Sequence, residues 1–168
     1  MFFVKQPGRH YNRSVNIIIT KSAEETKIVA KLFAEALAQE MMAKGAVVVA
    51  LDGSLGAGKT TFAQGFAEGL GVKEKVKSPT FVLMHKHALK GTSKKSEVKK
   101  YKHFYHADCY RLESEKDVSE IGLDEVMHDH ENIVLVEWAR RIKKAMPKDT
   151  IRVKFSYING QTRKINFN

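Results

Sequence analysis

The sequence predicts an α/β fold: a mainly parallel central sheet flanked by helices, with a C-terminal antiparallel β-hairpin. Three observations predict it. Ala46-Val47-Val48-Val49-Ala50-Leu51-Asp52 is a short, β-branched apolar run, as a strand buried on both faces should be. A glycine-rich run, Gly53 to Thr60, follows at once, and behind it Phe62, Phe66 and Leu70 recur at helical spacing before a stop at Gly71. Near the C-terminus, Ile151, Val153, Phe155 and Tyr157 alternate with Arg152, Lys154 and Ser156. Asn159-Gly160 then supplies a tight-turn dipeptide, and Ile165 and Phe167 continue the apolar face.

The other elements follow in order. Residues 1–13 read as a polar, loosely ordered lead-in. Asn16-Ile17-Ile18-Ile19 reads as the first strand. Ser22 and Glu25 have capping-box spacing, each able to satisfy a free N–H at a helix start. Ile28, Val29, Leu32, Phe33, Ala36 and Leu37 fall on one face of that helix, and Gly45 ends it. Thr80–Met84 and Phe104–His106 read as strands flanking a lysine-rich loop. Ser114 to about Met127 is predicted helical, Ile133–Val136 a buried strand, and Ala139–Ala145 a helix stopped by Pro147.

Composition bounds the class. At 168 residues the length fits one domain covering the whole chain, and 43% apolar residues favour folding over disorder. No apolar run approaches the ~18 residues that cross a bilayer, so a cytoplasmic protein is expected. The single cysteine, Cys109, excludes an internal disulfide and any multi-cysteine metal site. The net charge of +10 points to a polyanionic partner or to solvated surface lysine. Part of the excess is concentrated in Lys90, Lys94, Lys95, Lys99, Lys100 and Lys102. A second group is Arg140, Arg141, Lys143, Lys144 and Lys148.

The glycine-rich run carries the chemistry. Gly53-Ser54-Leu55-Gly56-Ala57-Gly58-Lys59-Thr60 has the form of a Walker A loop, which makes the fold P-loop NTPase-like. Glycines free the backbone N–H groups to point at phosphate oxygens. Ser54, Leu55, Gly56, Ala57, Gly58, Lys59, Thr60 and Thr61 are the candidate nucleotide contacts. Lys59 is placed to meet the outer phosphates, and the Thr60 hydroxyl to ligate Mg²⁺. The ligand expected is therefore ATP with Mg²⁺.

The rest of the site should lie at the carboxyl ends of the central strands. Glu137 ends Ile133–Val136, where an apolar strand can deliver one carboxylate to the metal, or is an ordinary strand-end acid. Asp108 ends His106-Ala107-Asp108, and strand alternation puts His106 and Asp108 on one face. Asp108 is a candidate to orient or deprotonate water, or else a cap for the next turn. Ser78-Pro79-Thr80 offers a hydroxyl on a stiffened loop that can sense the terminal phosphate, or simply a turn entering a strand. Trp138 is placed near the base or ribose, or in the core. Histidines 85, 87, 103 and 106 lack metal-ligand spacing.

Four runs occur in order: residues 53–61, Lys77-Ser78-Pro79-Thr80-Phe81, His106–Leu112, and Leu135-Val136-Glu137-Trp138. Together they resemble the TsaE family, formerly YjeE, of bacterial ATPases in tRNA threonylcarbamoyladenosine synthesis. The resemblance runs from about Ile17 to the hairpin. It implies ATP and Mg²⁺ binding with weak intrinsic hydrolysis, and partnership with TsaD and TsaB. Those partners modify adenosine 37 of tRNAs reading codons that begin with A, so tRNA is met through the complex. It also implies that Lys59 and Thr60 hold phosphate and Mg²⁺, that Glu137 is the metal-associated acid, Asp108 the essential aspartate and Thr80 a mobile threonine. Ala139 stands where many members have proline. The lead-in and the loop at 89–100 look elaborated. Two other classes stay open: a P-loop nucleotide or small-molecule kinase, and a tRNA-binding module with a vestigial nucleotide site.

Overall fold

The computed structural model describes residues 16–40, 45–79, 81–89 and 101–168. The predicted lead-in at 1–13, Thr80 and the lysines from Lys90 to Lys100 lie outside the described residues. The strands are β1 (Asn16–Thr20), β2 (Val47–Asp52), β3 (Met84–Ala88), β4 (His103–Asp108), β5 (Asn132–Glu137), β6 (Ile151–Asn159) and β7 (Thr162–Phe167). The helices are α1 (Ala23–Glu40), α2 (Lys59–Gly69), α3 (Glu115–Glu120) and α4 (Leu123–His128), with a 3-10 turn at Ala139–Ile142.

The seven strands form one sheet in the order β1-β7-β6-β2-β5-β4-β3. Its centre is parallel: β2 pairs with β5 and β6, and β4 with β5. Both margins are antiparallel, β3 on β4 at one side and the β6–β7 hairpin with β1 at the other. The predicted fold class holds in each part. Strands β2 and β5 are the deepest. Ala50, Leu51, Val134, Leu135 and Val136 are fully buried, because helices cover this part of the sheet on both faces.

Two apolar layers sandwich the sheet. On one face α1 and α2 bring Phe33, Leu37, Phe62 and Phe66 against Val49, Leu135, Phe155 and Phe167. The Phe62 ring lies 5.3 Å from Phe155 and 6.2 Å from Phe33, an edge-and-tilt cluster that aromatic quadrupoles favour. On the other face Val118, Leu123, Met127 and Ile142 cover Val48, Ala50, Val134 and Val136. Helices α1 and α2 pack backbone to backbone. A Cβ at Gly65 would sit 2.2 Å from the Lys27 carbonyl oxygen, so glycine is what lets them approach. No helix among the described residues is long and apolar enough to cross a membrane.

Four local expectations need correction. The strand expected at Thr80–Met84 is β3 at Met84–Ala88. The Pro79 carbonyl accepts from the N–H groups of Val82 and Leu83, and Leu83 takes φ 65°, so 81–83 is a turn. The helix expected from Ser114 to Met127 is two helices. Gly122 at φ 68° breaks it, and Ser114 caps the first half with Asp117. The helix expected at Ala139–Ala145 is only the 3-10 turn Ala139–Ile142, started by Trp138 at φ 59°. At α1, Ser22 Oγ accepts from the Glu25 N–H as predicted, but the Glu25 carboxylate takes the N–H of Lys21 rather than that of Ser22. Helix α1 is described as far as Glu40; residues 41–44, before the predicted stop at Gly45, are outside the described residues.

Candidate functional site

Register builds the site. In the parallel pairs Leu51 lies beside Glu137, and Glu137 beside Asp108. The end of β2, where the glycine loop starts, and both predicted acids therefore lie at one level, at the carboxyl ends of adjacent strands. The loop needs its glycines. Gly56 has φ 72° and Gly58 φ 102°, backbone conformations that strain a residue with a Cβ. Gly58 is also the N-cap of α2 and supplies no side-chain cap. The free N–H groups of the first helical turn are thus left to a ligand.

The cleft above the loop has a volume of about 390 Å³. Lys59, Thr60, Ser78, Asp108, Glu137 and Trp138 line it, together with Leu55 to Gly58. All predicted site residues that the structure describes are here or, for Ser54, in contact with it through Lys59. Thr80 lies outside the described residues, two positions after Ser78. The lysine is buried. Its Nζ donates to the carbonyl oxygens of Gly53 and Ser54, each at 2.8 Å, and lies 3.8 Å from the centre of the Trp138 ring. Burial pushes its pKa below the usual lysine value, and the charges of Glu137, Asp108 and Asp52 oppose that shift.

The carboxylates are held from several sides. Thr60 Oγ1 donates to Glu137 Oε2 at 3.0 Å, closing a contact across 77 positions of sequence. His106 Nε2 meets the other oxygen, Oε1, at 2.8 Å, and both side chains are buried. Asp108 Oδ2 accepts from Ser78 Oγ and Oδ1 from the Tyr110 N–H, both at 3.0 Å. Asp108 thus caps the turn after β4 and also lines the cleft. Oxygen donors from Thr60 and Glu137 suit a hard cation such as Mg²⁺. The uncapped helix start with Lys59 suits phosphate.

The structure adds residues that the sequence reading passed over. The sequence reading put His106 on the face of Asp108 but gave it no part in the site. Tyr110 also lines the cleft, its ring 5.1 Å from that of Trp138. A second cleft shares Gly56, Gly58 and Thr61 with the first and is bounded by Ser22, Ala23, Thr26, Gln161 and Arg163. Arg163 donates to the Gly56 carbonyl at 3.3 Å and to that of Gly160 at 3.0 Å. The turn dipeptide Asn159-Gly160 was legible, but not that it brings this arginine to the loop. Cys109 is buried, and burial with the neighbouring Asp108 charge pushes its thiol up to about 12, which makes it a packing residue.

Known proteins resemble this chain in sequence and fold. The family described as "Threonylcarbamoyl adenosine biosynthesis protein TsaE" matches residues 20–165. The tRNA threonylcarbamoyladenosine biosynthesis protein TsaE of Bacillus subtilis is 38% identical over 152 residues, covering 88% of this chain and 82% of its own. That of Treponema pallidum is 34% identical over 125 residues, covering 74% of this chain and 83% of its own. Among solved structures, Bacillus subtilis YdiB superposes with a TM-score of 0.65 at 33% identity, over 93% of this chain and 87% of that one.

Proposed function

The chain belongs to the TsaE family and to tRNA threonylcarbamoyladenosine biosynthesis, and from that premise we propose that it is a Mg²⁺-dependent ATPase of this pathway. It acts in the cytoplasm with homologues of TsaD and TsaB, which modify adenosine 37 of tRNAs reading codons that begin with A. It meets tRNA through that complex. The observation that carries the nucleotide reading is the Thr60–Glu137 hydrogen bond beside buried Lys59. It joins the start of the loop helix to the end of a neighbouring strand, as a phosphate-and-metal site requires.

The residues have distinct tasks. Lys59 exchanges its bonds to the Gly53 and Ser54 carbonyls for phosphate oxygens. The free N–H groups at the start of α2 receive the phosphates. Thr60 and Glu137 would hold Mg²⁺, which when bound would neutralise charge developing on the phosphates. Asp108 positions the attacking water and accepts its proton. Ser78 ties the 77–83 segment to Asp108, so that Thr80, in the same segment, responds to the terminal phosphate. Trp138, with Lys59 Nζ 3.8 Å from its ring centre, meets the phosphate end rather than the base or ribose expected of it. Hydrolysis is slow without partners and rises with them. The exposed basic group Arg140, Arg141, Lys143 and Lys144 flanks Trp138 and steers association with a tRNA-bearing complex, an effect that fades with salt.

Asp108→Asn separates binding from turnover. Nucleotide affinity should hold while kcat in the presence of TsaD and TsaB falls by a factor of about 10² or more, because water positioning matters only on the way to the transition state. Steady-state hydrolysis and nucleotide titration on the same preparation measure both. Turnover at the wild-type rate would remove Asp108 from the reaction.

A further inference from the structure

Glu137 is held at both oxygens, and only one of its two partners belongs to the phosphate loop. The other is His106, on β4, whose side chain is fully buried. An ionised Glu137 accepts from both sides, so His106 Nε2 carries the proton it shares with Oε1 at 2.8 Å. The ring's other nitrogen, Nδ1, is buried and has no hydrogen-bond partner among the described residues. His106 is also fixed as a body. Its ring lies parallel to that of Phe104, centres 6.5 Å apart, and Phe104 in turn packs on Phe66 of α2. Among the described residues, His106 thus has one polar partner, a single oxygen of Glu137.

We propose that His106 is a positioning residue: it fixes the plane of the Glu137 carboxylate so that Oε2 stays beside the Thr60 hydroxyl. The inference rests on the reading of Thr60 and Glu137 as the Mg²⁺-holding pair. Without the histidine, the carboxylate is free to rotate about its last torsion, a soft one. Oε2 then no longer stays beside the Thr60 hydroxyl. Removing a group that orients a metal-binding side chain from behind typically costs about 10–100-fold in metal affinity or activity. The pattern also explains the His-x-Asp spacing at the end of β4. Alternation puts both residues on the loop-facing side, Asp108 toward the cleft and His106 one step deeper, under Glu137.

The test uses the full chain and a fluorescent ADP analogue, titrated with Mg²⁺ and separately in EDTA. Four proteins are compared: wild type, His106→Leu, His106→Gln and Glu137→Gln. In His106→Leu the half-saturating Mg²⁺ concentration should rise about tenfold or more, while affinity in EDTA stays at the wild-type value. His106→Gln, which carries an amide N–H at nearly the distance of Nε2, should restore most of the loss. An unchanged Mg²⁺ dependence in His106→Leu overturns the inference, as does a glutamine variant no better than leucine. Should His106→Leu lose its cooperative melt, His106→Asn replaces it. Its amide is too short to meet Oε1, so parity between Asn and Gln also overturns the inference. The premise is tested separately. If wild type shows no Mg²⁺ dependence, or Glu137→Gln leaves it intact, the metal reading itself fails.

Discussion

Two stretches of this chain carry bulky apolar residues close to the phosphate loop, and they behave in opposite ways. In α2, Phe62 and Phe66 are 0% exposed and stand among Phe33, Phe155 and Phe167. In the arm that precedes β3, Phe81 is 84% exposed and Val82 60%. Hydrophobicity does not separate them. Backbone geometry does. The α2 stripe repeats at the helical period and faces the sheet, whereas Pro79 and the left-handed Leu83 fold 81–83 into a turn that faces outward. The arm is also tethered by polar links, Ser78 to Asp108, Gln64 to the Val76 carbonyl, and the Asp108 N–H to the Leu83 carbonyl, while Val76 before the turn and Leu83 at its end pack on the apolar layers. The loop helix is a rigid support held by its core. The arm is a segment held in part by polar contacts, two of which lead to Asp108.

The contrast can be broken most severely at Phe62. Phe62→Ala should cost about 3–5 kcal/mol of stability, because it opens a cavity among four aromatic rings. Chemical denaturation measures it, and a loss under 1 kcal/mol would mean that the α1–α2 layer does not support the loop as described.

Gly65→Ala comes next. In a free helix this exchange adds stability of up to about 1 kcal/mol. Here the new Cβ meets the Lys27 backbone, so the sign reverses, and a loss of about 1–3 kcal/mol is expected from the same denaturation experiment. A stabilised variant would show that α1 and α2 do not approach so closely.

The smallest effect belongs to the arm. Phe81→Ala should change stability by no more than about 0.5 kcal/mol, because little of the ring is withdrawn from water. A larger loss would place Phe81 in a core that the structure does not give it. Partner-stimulated hydrolysis on the same variant then reports whether the exposed ring serves docking.

The same contrast marks what was legible in the sequence. Strands β2 and β5 and the loop between β2 and α2 were readable because local rules suffice for them: β-branched runs, glycines, helical period. Glu137 and Asp108 were readable because strand ends in a parallel sheet point at one place. What was not readable depended on partners distant in sequence. Nothing local says that Gly65 meets Lys27, that Arg163 reaches Gly56, or that His106 supports Glu137 across 31 positions. The arm was misread for a related reason. Phe81-Val82-Leu83 has strand composition, and the turn that overrides it is set by Pro79 and by a left-handed leucine that no propensity favours.

The most direct measurement of the central claim is calorimetric titration of ATP with Mg²⁺ into wild type and Lys59→Ala. The side chain serves the site rather than the core, so the variant should keep its fold. It should lose about 2 kcal/mol or more of binding free energy, roughly thirtyfold in affinity, as one charge-assisted phosphate contact disappears. Equal affinity in the two proteins would contradict the account, because the nucleotide would then not be held at the Gly53–Thr60 loop.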